Sequence, residues 1–212
     1  MHHPELHRFT PDAPLAQSAH HLAQELLGPD GARWIHSSAV AARAGEAAGT
    51  FPVPQRPLLL AAGWLHDIGY SPTVQDAVAD SGPARFHPLD GARFLRARGW
   101  PAELAALVAH HSGAVHVAAV LGLAGPVRAH VVPAGLHPVA DALTWADQTT
   151  GPAGQPWTLA QRLTDVLDRH GPDSPNARAH AARLPDLVGA VERTEQRRRS
   201  LLRPAARGAG TA

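Results

Sequence analysis

Residues 58–70 read LLLAAGWLHDIGY, an apolar helix that runs straight into His66 and Asp67. A helix this apolar must be covered on almost every side, so the chain has to wrap other helices around it. Covering an imidazole and a carboxylate as well, with no partner for either, would cost several kcal/mol, comparable with the whole stability of a domain. A metal ion removes that cost by turning both side chains into ligands. Successive helical residues point about 100° apart, so neighbours at a helix end can bracket one ion. For the dipeptide alone, a core histidine beside a capping aspartate is the plainer alternative.

Five further positions carry the same chemistry in the same context. His36 lies in WIHSSAVAA (34–42), an apolar helix preceding the His-Asp helix. His87 opens FHPLDGARFL (86–95), with Pro88 placed for the first turn of a helix. His110 and His111 end LAALVAHHSG (104–113), and Asp147 sits in ALTWADQTT (142–150). One polar residue on an apolar helix is ordinary; one on each of five successive helices is a pattern.

The chain reads helix after helix, with no alternating strand, and the expected fold class is all-α. Helices are expected near 15–27, ending at Gly28-Pro29, and from Pro29-Asp30-Gly31 to about Gly49. Residues 71–85 read as a loop with a short helix at 73–79, followed by helices near 88–98 and 101–111 and a short one at 114–123. Residues 124–136 read as a loop that could cover the site. The Asp147 helix follows Pro138, Thr158 is placed to cap a helix at 159–170, and a last helix at 176–202 could break at Pro185. The domain organisation expected is an arm at 1–14, a helical domain at 15–202 and a tail at 203–212.

In the order His36, His66-Asp67, Asp147 the chain resembles the HD-domain superfamily over roughly residues 18–170. His87 and His110 match the further positions of the subset with two metals. The resemblance implies an HD-type helical bundle around a dinuclear centre. His36, His66, Asp67 and Asp147 would hold one metal, and Asp67 would bridge to a second held by His87 and His110. Two divalent transition-metal ions are implied, Fe or Mn first, with Zn or Co as alternatives; this mixed N/O set suits them better than Mg or Ca. The implied activity is hydrolysis of a small phosphate ester or anhydride, nucleotide-like, by a metal-activated hydroxide. Asp67 and His111 are the candidate catalytic residues, and Arg33, Tyr70 and Arg93 the candidate substrate contacts.

Two alternatives stand beside it. The same ligand types occur in mixed-valence di-iron oxygenases of this superfamily, similar to myo-inositol oxygenase, and an HD scaffold can also act as a regulatory or binding protein. Many phosphate-handling members carry Lys three residues after the His-Asp aspartate, where this chain has Tyr70, its only tyrosine. No Gly-Tyr-Pro follows His110-His111, so a cyclic-dinucleotide phosphodiesterase of the HD-GYP type is rejected.

Composition narrows the classes further. There is no Cys, which removes disulfides, thiolate zinc sites and a cysteine nucleophile. A net charge of +1 argues against a dedicated nucleic-acid binder, and no apolar run reaches membrane-spanning length. The first residues, MHHPELH, lack the pattern of a signal peptide, so the cytoplasm is the expected compartment and a small anionic molecule the expected partner. All 19 basic residues are Arg, so a cationic substrate clamp must be Arg or His. Arg85 and Arg96 are reserves for that clamp. Ser37, Ser112, Gln148 and Thr149 adjoin the candidate ligands and could support them. His116, His130, His137, His170 and His180 lack the apolar context and are expected to be solvated, and His2, His3 and His7 are read as neither a tag nor a site. Trp34, Trp64, Trp100, Trp145 and Trp157 are all expected to be core, the first two and Trp145 pointing away from the metals into the bundle.

Overall fold

The computed structural model describes residues 8–11, 14–81 and 85–202. The expected tail, most of the expected arm, and His2, His3 and His7 lie outside the described residues. Helices α1 (Leu15–Leu27), α2 (Ala32–Ala48), α3 (Arg56–Leu65), α4 (Pro72–Ala77), α5 (His87–Ala97) and α6 (Ala102–His110) come first. They are followed by α7 (Ala114–Val120), α8 (Ala124–Arg128), α9 (His137–Gln148), α10 (Leu159–His170) and α11 (Pro175–Leu202). Short 3-10 turns join several of them, and no strand forms among the described residues beyond a single bridge between Thr150 and Pro156. The protein is all-α.

Helix α3 is the axis of the bundle because its sequence leaves it no other place. Leu59, Ala61, Ala62 and Leu65 are fully buried, each Leu contributing roughly 1.5–3 kcal/mol by leaving water. Helices α1, α2, α6 and α9 pack around it. Gly63 sets how closely: a Cβ there would lie 2.9 Å from the Cα of Ala41, so α2 crosses α3 nearly backbone to backbone. That contact brings His36 on α2 beside His66 at the end of α3, with ring centres 5.5 Å apart.

A second, smaller core forms where Phe86, Leu89, Val117, Val127 and Ala179 meet, joining α5, α7, α8 and α11. The segment 124–136, read from its Gly-Pro and Pro-Ala-Gly content as a loop over the site, forms α8 and a 3-10 turn at Ala134–Leu136 instead. Pro126 falls in the first turn of α8, where no backbone N–H is needed. Helix α8 packs on α7, away from the site cavity.

Helix α11 runs unbroken through Pro185. The lost hydrogen bond is offset by its packing along α9: Leu187, Ala190 and Thr194 are buried, and Arg193 grips Asp141 with two hydrogen bonds of 2.8 Å. Trp145 Nε1 also donates to Glu195 at 2.7 Å. Helix α10 starts in a full capping box, Thr158 Oγ1 accepting from Gln161 N at 3.2 Å and Gln161 Oε1 from Thr158 N at 2.8 Å. Trp34 and Trp64 stack on each other at 5.2 Å, and Trp145 is fully buried.

Candidate metal centre

Three histidines are held the same way. His66 Nδ1 lies 2.9 Å from Gly63 O, His36 Nδ1 3.1 Å from Gly151 O, and His111 Nδ1 2.7 Å from Val108 O. A carbonyl only accepts, so each Nδ1 must carry a proton, and in the neutral ring each Nε2 presents a lone pair. Those three Nε2 atoms turn inward on two carboxylates. His36 Nε2 is 3.1 Å from Asp147 Oδ1, while His66 Nε2 is 3.7 Å from Asp67 Oδ1 and 4.0 Å from Asp147 Oδ1. His87 Nε2 lies 3.3 Å from Asp67 Oδ1 and 3.4 Å from His111 Nε2.

Two donor sets result, His36/His66/Asp67 and Asp67/His87/His111, each with one ligand atom per residue, all within 4.8 Å of one another. Asp67 belongs to both. The residues fit divalent metal: His66 is wholly buried, yet its Nε2 has no hydrogen-bond partner. A buried polar atom left so is costly unless something binds it. Burial lowers the His66 and His87 imidazoles to about 4, so both are neutral, the form a metal needs. Burial alone would raise the Asp67 carboxyl, but His66, His87 and Arg33 hold it well below the usual range, and of the three Arg33 alone is charged at neutral pH. Asp147 is likewise held low against its burial, by Arg162 and His36.

The expectation for His110 is corrected. Its Nε2 lies 3.0 Å from Val127 O, tying α6 to α8, and His111 occupies the place read for it. Helix α6 ends at His110; His111 then leaves the helix at φ −53°, ψ 145°, and its ring swings toward Asp67. The turn that follows is strained. Ser112 sits at φ 53°, ψ 36°, a region a non-glycine residue seldom adopts, and Gly113 follows at φ 65°. Four bonds hold Ser112 there, one of them from Gln148 Nε2 to its Oγ at 3.1 Å. Its N–H donates to Thr144 Oγ1 at 3.2 Å, its C=O accepts from Arg183 Nε at 2.6 Å, and its Oγ makes a short hydrogen bond to Asp147 Oδ2. Gln148 Nε2 adds a bond to the same Asp147 oxygen at 2.9 Å. The buried carboxylate is thus fixed through Oδ2 on one side and faces His36 and Arg162 through Oδ1 on the other.

A cavity of about 280 Å³ opens onto Asp67, His87, His111 and Asp147. Arg33 lines it and donates to Asp67 Oδ2 at 2.8 Å, consistent with its place one helical turn before His36. Tyr70 also lines it, with the Arg33 guanidinium 3.8 Å and the His87 ring 4.0 Å from its ring centre. Two groups so near the centre cannot share a face, so both faces of Tyr70 are covered. Burial, with Asp67 adding to it, raises its phenol to about 12, and the hydroxyl stays protonated.

Arg93 is not among the cavity residues, which corrects its reading as a substrate contact. Six residues after His87, it lies about 9 Å along α5 and about 120° off in direction. Its charge acts on Asp90 and His130 instead. Of the supporting candidates, Ser112 and Gln148 hold Asp147 and Thr149 accepts from Arg43, whereas Ser37 Oγ has no partner. His170, expected only to be solvated, lines the cavity, and His116 pairs with Asp186 at 2.6 Å.

Arg162, Arg169 and Arg183 also line the cavity, and sequence reasoning passed over all three. Arg162 is buried and donates to Asp147 Oδ1 at 3.1 Å. A signal for it existed: three residues after Leu159 and four before Val166, it falls on the apolar stripe of α10.

The family model described as HD domain matches residues 33–170. Searches of the curated proteins and of the solved structures found no match.

Proposed function

The chain belongs to the HD-domain family, and from that premise we propose that it is a metal-dependent phosphohydrolase acting on a small phosphate ester or anhydride. One observation carries the reading. Two His/Asp donor sets share Asp67, at a cavity lined also by Asp147 and by five arginines. His36, His66, Asp67 and Asp147 would hold one metal, and Asp67, His87 and His111 the other. Bound metals would supply Lewis acidity and an activated water at neutral pH.

The protein's own groups do the rest. Backbone carbonyls of Gly63, Gly151 and Val108 fix three imidazoles in one tautomer. Ser112 and Gln148 orient Asp147. Arg33 and Arg162, each bonded to one of the two site carboxylates, stand where a phosphoryl group gains negative charge, and electrostatic stabilisation of that kind is usually the largest catalytic contribution. The Lys found after the His-Asp pair in many relatives is replaced by Tyr70, and Arg33 packed on that ring brings the positive charge by another route.

Mn-loaded protein should release phosphate from some member of a phosphomonoester and anhydride panel under anaerobic conditions. Asp147→Asn should lower that release by at least about 100-fold while helical circular dichroism is kept. Turnover that requires dioxygen, with no phosphate released across the panel, would overturn the hydrolase in favour of a di-iron oxygenase.

The histidine pair gives a sharper check on the ligands. His111→Ala should reduce metal content from two ions per chain to one, measured by plasma mass spectrometry. His110→Ala should keep both and show only lower thermal stability, from the lost link to Val127. The reverse pattern would return His110 to the centre.

A further inference from the structure

Five guanidinium groups line the cavity, from Arg33, Arg85, Arg162, Arg169 and Arg183, against the two carboxylates Asp67 and Asp147. They are not equivalent. Arg33 is bonded to Asp67, Arg162 to Asp147, and Arg169 to Asp165 through contacts of 2.9 and 2.6 Å. Arg85 and Arg183 have no carboxylate partner among the described residues. Arg183 is the more telling of the two. It is part-buried, its Nε is spent on Ser112 O at 2.6 Å, and its Nη1 reaches only the neutral Asn176 Oδ1 at 3.5 Å. Burial pulls its pKa down from the usual arginine value, and the charge of Asp147 offsets that only in part. The fold also makes room for it, because the stem of Arg183 passes over Gly113, where a Cβ would lie 3.0 Å from Arg183 Cγ.

The reacting phosphoryl group already has the two donor sets, Arg33 and Arg162. Metal ions at Asp67 and Asp147 would add positive charge rather than neutralise Arg85 and Arg183. An anion on the substrate would neutralise them. The cavity offers little to a nucleobase. Both faces of Tyr70 are taken, Phe86 is 7 % exposed, and about 280 Å³ lies at the lower limit for small-molecule sites. Its apolar lining is small, from residues such as Ala114, Val117 and Val166.

We infer that the substrate is a compact molecule carrying a second anionic group, a carboxylate or a further phosphate, which Arg183 and Arg85 bind while the reacting phosphoryl group faces Asp67 and Asp147. The inference rests on the phosphohydrolase reading for the identity of the first group.

Binding calorimetry on the Mn-loaded protein tests it without turnover, using 3-phosphonopropionate against n-propylphosphonate. The wild type should bind the carboxylate-bearing probe at least about tenfold more tightly, the worth of one charge-assisted bidentate contact. Arg183→Gln should bring the ratio of the two affinities close to one, and Arg183→Lys should restore part of it. Arg85→Gln, at an exposed position where folding is not at stake, should lower the ratio as well. A wild-type ratio near one would overturn the inference. So would a ratio that survives both glutamine variants, which would place the carboxylate on the metals. Failure of the hydrolase reading looks different: the ratio would hold while no phosphate ester is cleaved.

Discussion

Asp67→Ala is expected to leave the protein with neither metal bound and with no phosphate release above background. Asp67 is the one residue common to both donor sets, its Oδ1 lying 3.3 Å from His87 Nε2, 3.7 Å from His66 Nε2 and 3.9 Å from His111 Nε2. Removing it takes away the negative charge that offsets two cations, and three imidazole lone pairs are left facing each other. The activity loss should exceed the 10- to 100-fold typical of residues that only support a metal ligand. The substitution also strips Arg33 of its 2.8 Å partner. Asp67→Asn separates the two effects: the amide keeps the shape and can accept from Arg33, but it lacks the charge. It should bind metal as poorly as the alanine variant while melting closer to the wild type. Metal analysis and a thermal melt on both variants decide this. Retention of one tightly bound ion by Asp67→Ala would mean that the two donor sets are not joined through this carboxylate.

Gly69→Ala is expected to be the most damaging change outside the ligands. A Cβ at Gly69 would fall 1.9 Å from His87 O and 2.7 Å from His87 Cα. Those are backbone atoms at the start of α5, so no side chain can rotate out of the way. Either the Ile68–Tyr70 turn or the start of α5 must move, and both carry the site: the first follows Asp67 directly and the second begins with His87. Overpacking of this kind costs about 3 kcal/mol or more, which lowers the melting temperature of a domain this size by roughly 6–12 °C. The second donor set should open with it, since His87 reaches Asp67 only because these two backbones touch. One ion per chain and a lower melting temperature are therefore expected together. Gly125→Ala is the control, with nothing within 4 Å of the added Cβ, and it should change neither. Full metal content in Gly69→Ala would show that α5 can shift without carrying His87 away.

The two expectations draw on different parts of the chain. Asp67 was legible as a candidate ligand from the sequence, because a carboxylate following an apolar helix has to be explained and His36, His66 and Asp147 repeat the pattern on neighbouring helices. The all-α class was equally legible, from apolar periodicity and from Pro and Gly at helix boundaries; the N-cap read at Thr158 formed, and Gln161 completes it as a capping box. Helical periodicity and capping are properties of a few consecutive residues, so the sequence carries them in full.

Tertiary structure decided the rest. Which of His110 and His111 faces the site depends on where α6 ends, and that is set by the left-handed turn at Ser112, which Thr144, Asp147 and Arg183 stabilise from other helices. Neither histidine announces this alone. Arg93 lies near His87 along the chain yet does not line the cavity, whereas Arg162 and Arg183 reach it from α10 and α11. Proximity in sequence constrains direction only within a turn or two of helix. A charge finds its partner through helix packing, and the packing here is set by two glycines, Gly63 against Ala41 and Gly69 against His87, whose contacts become visible only once the helices are assembled.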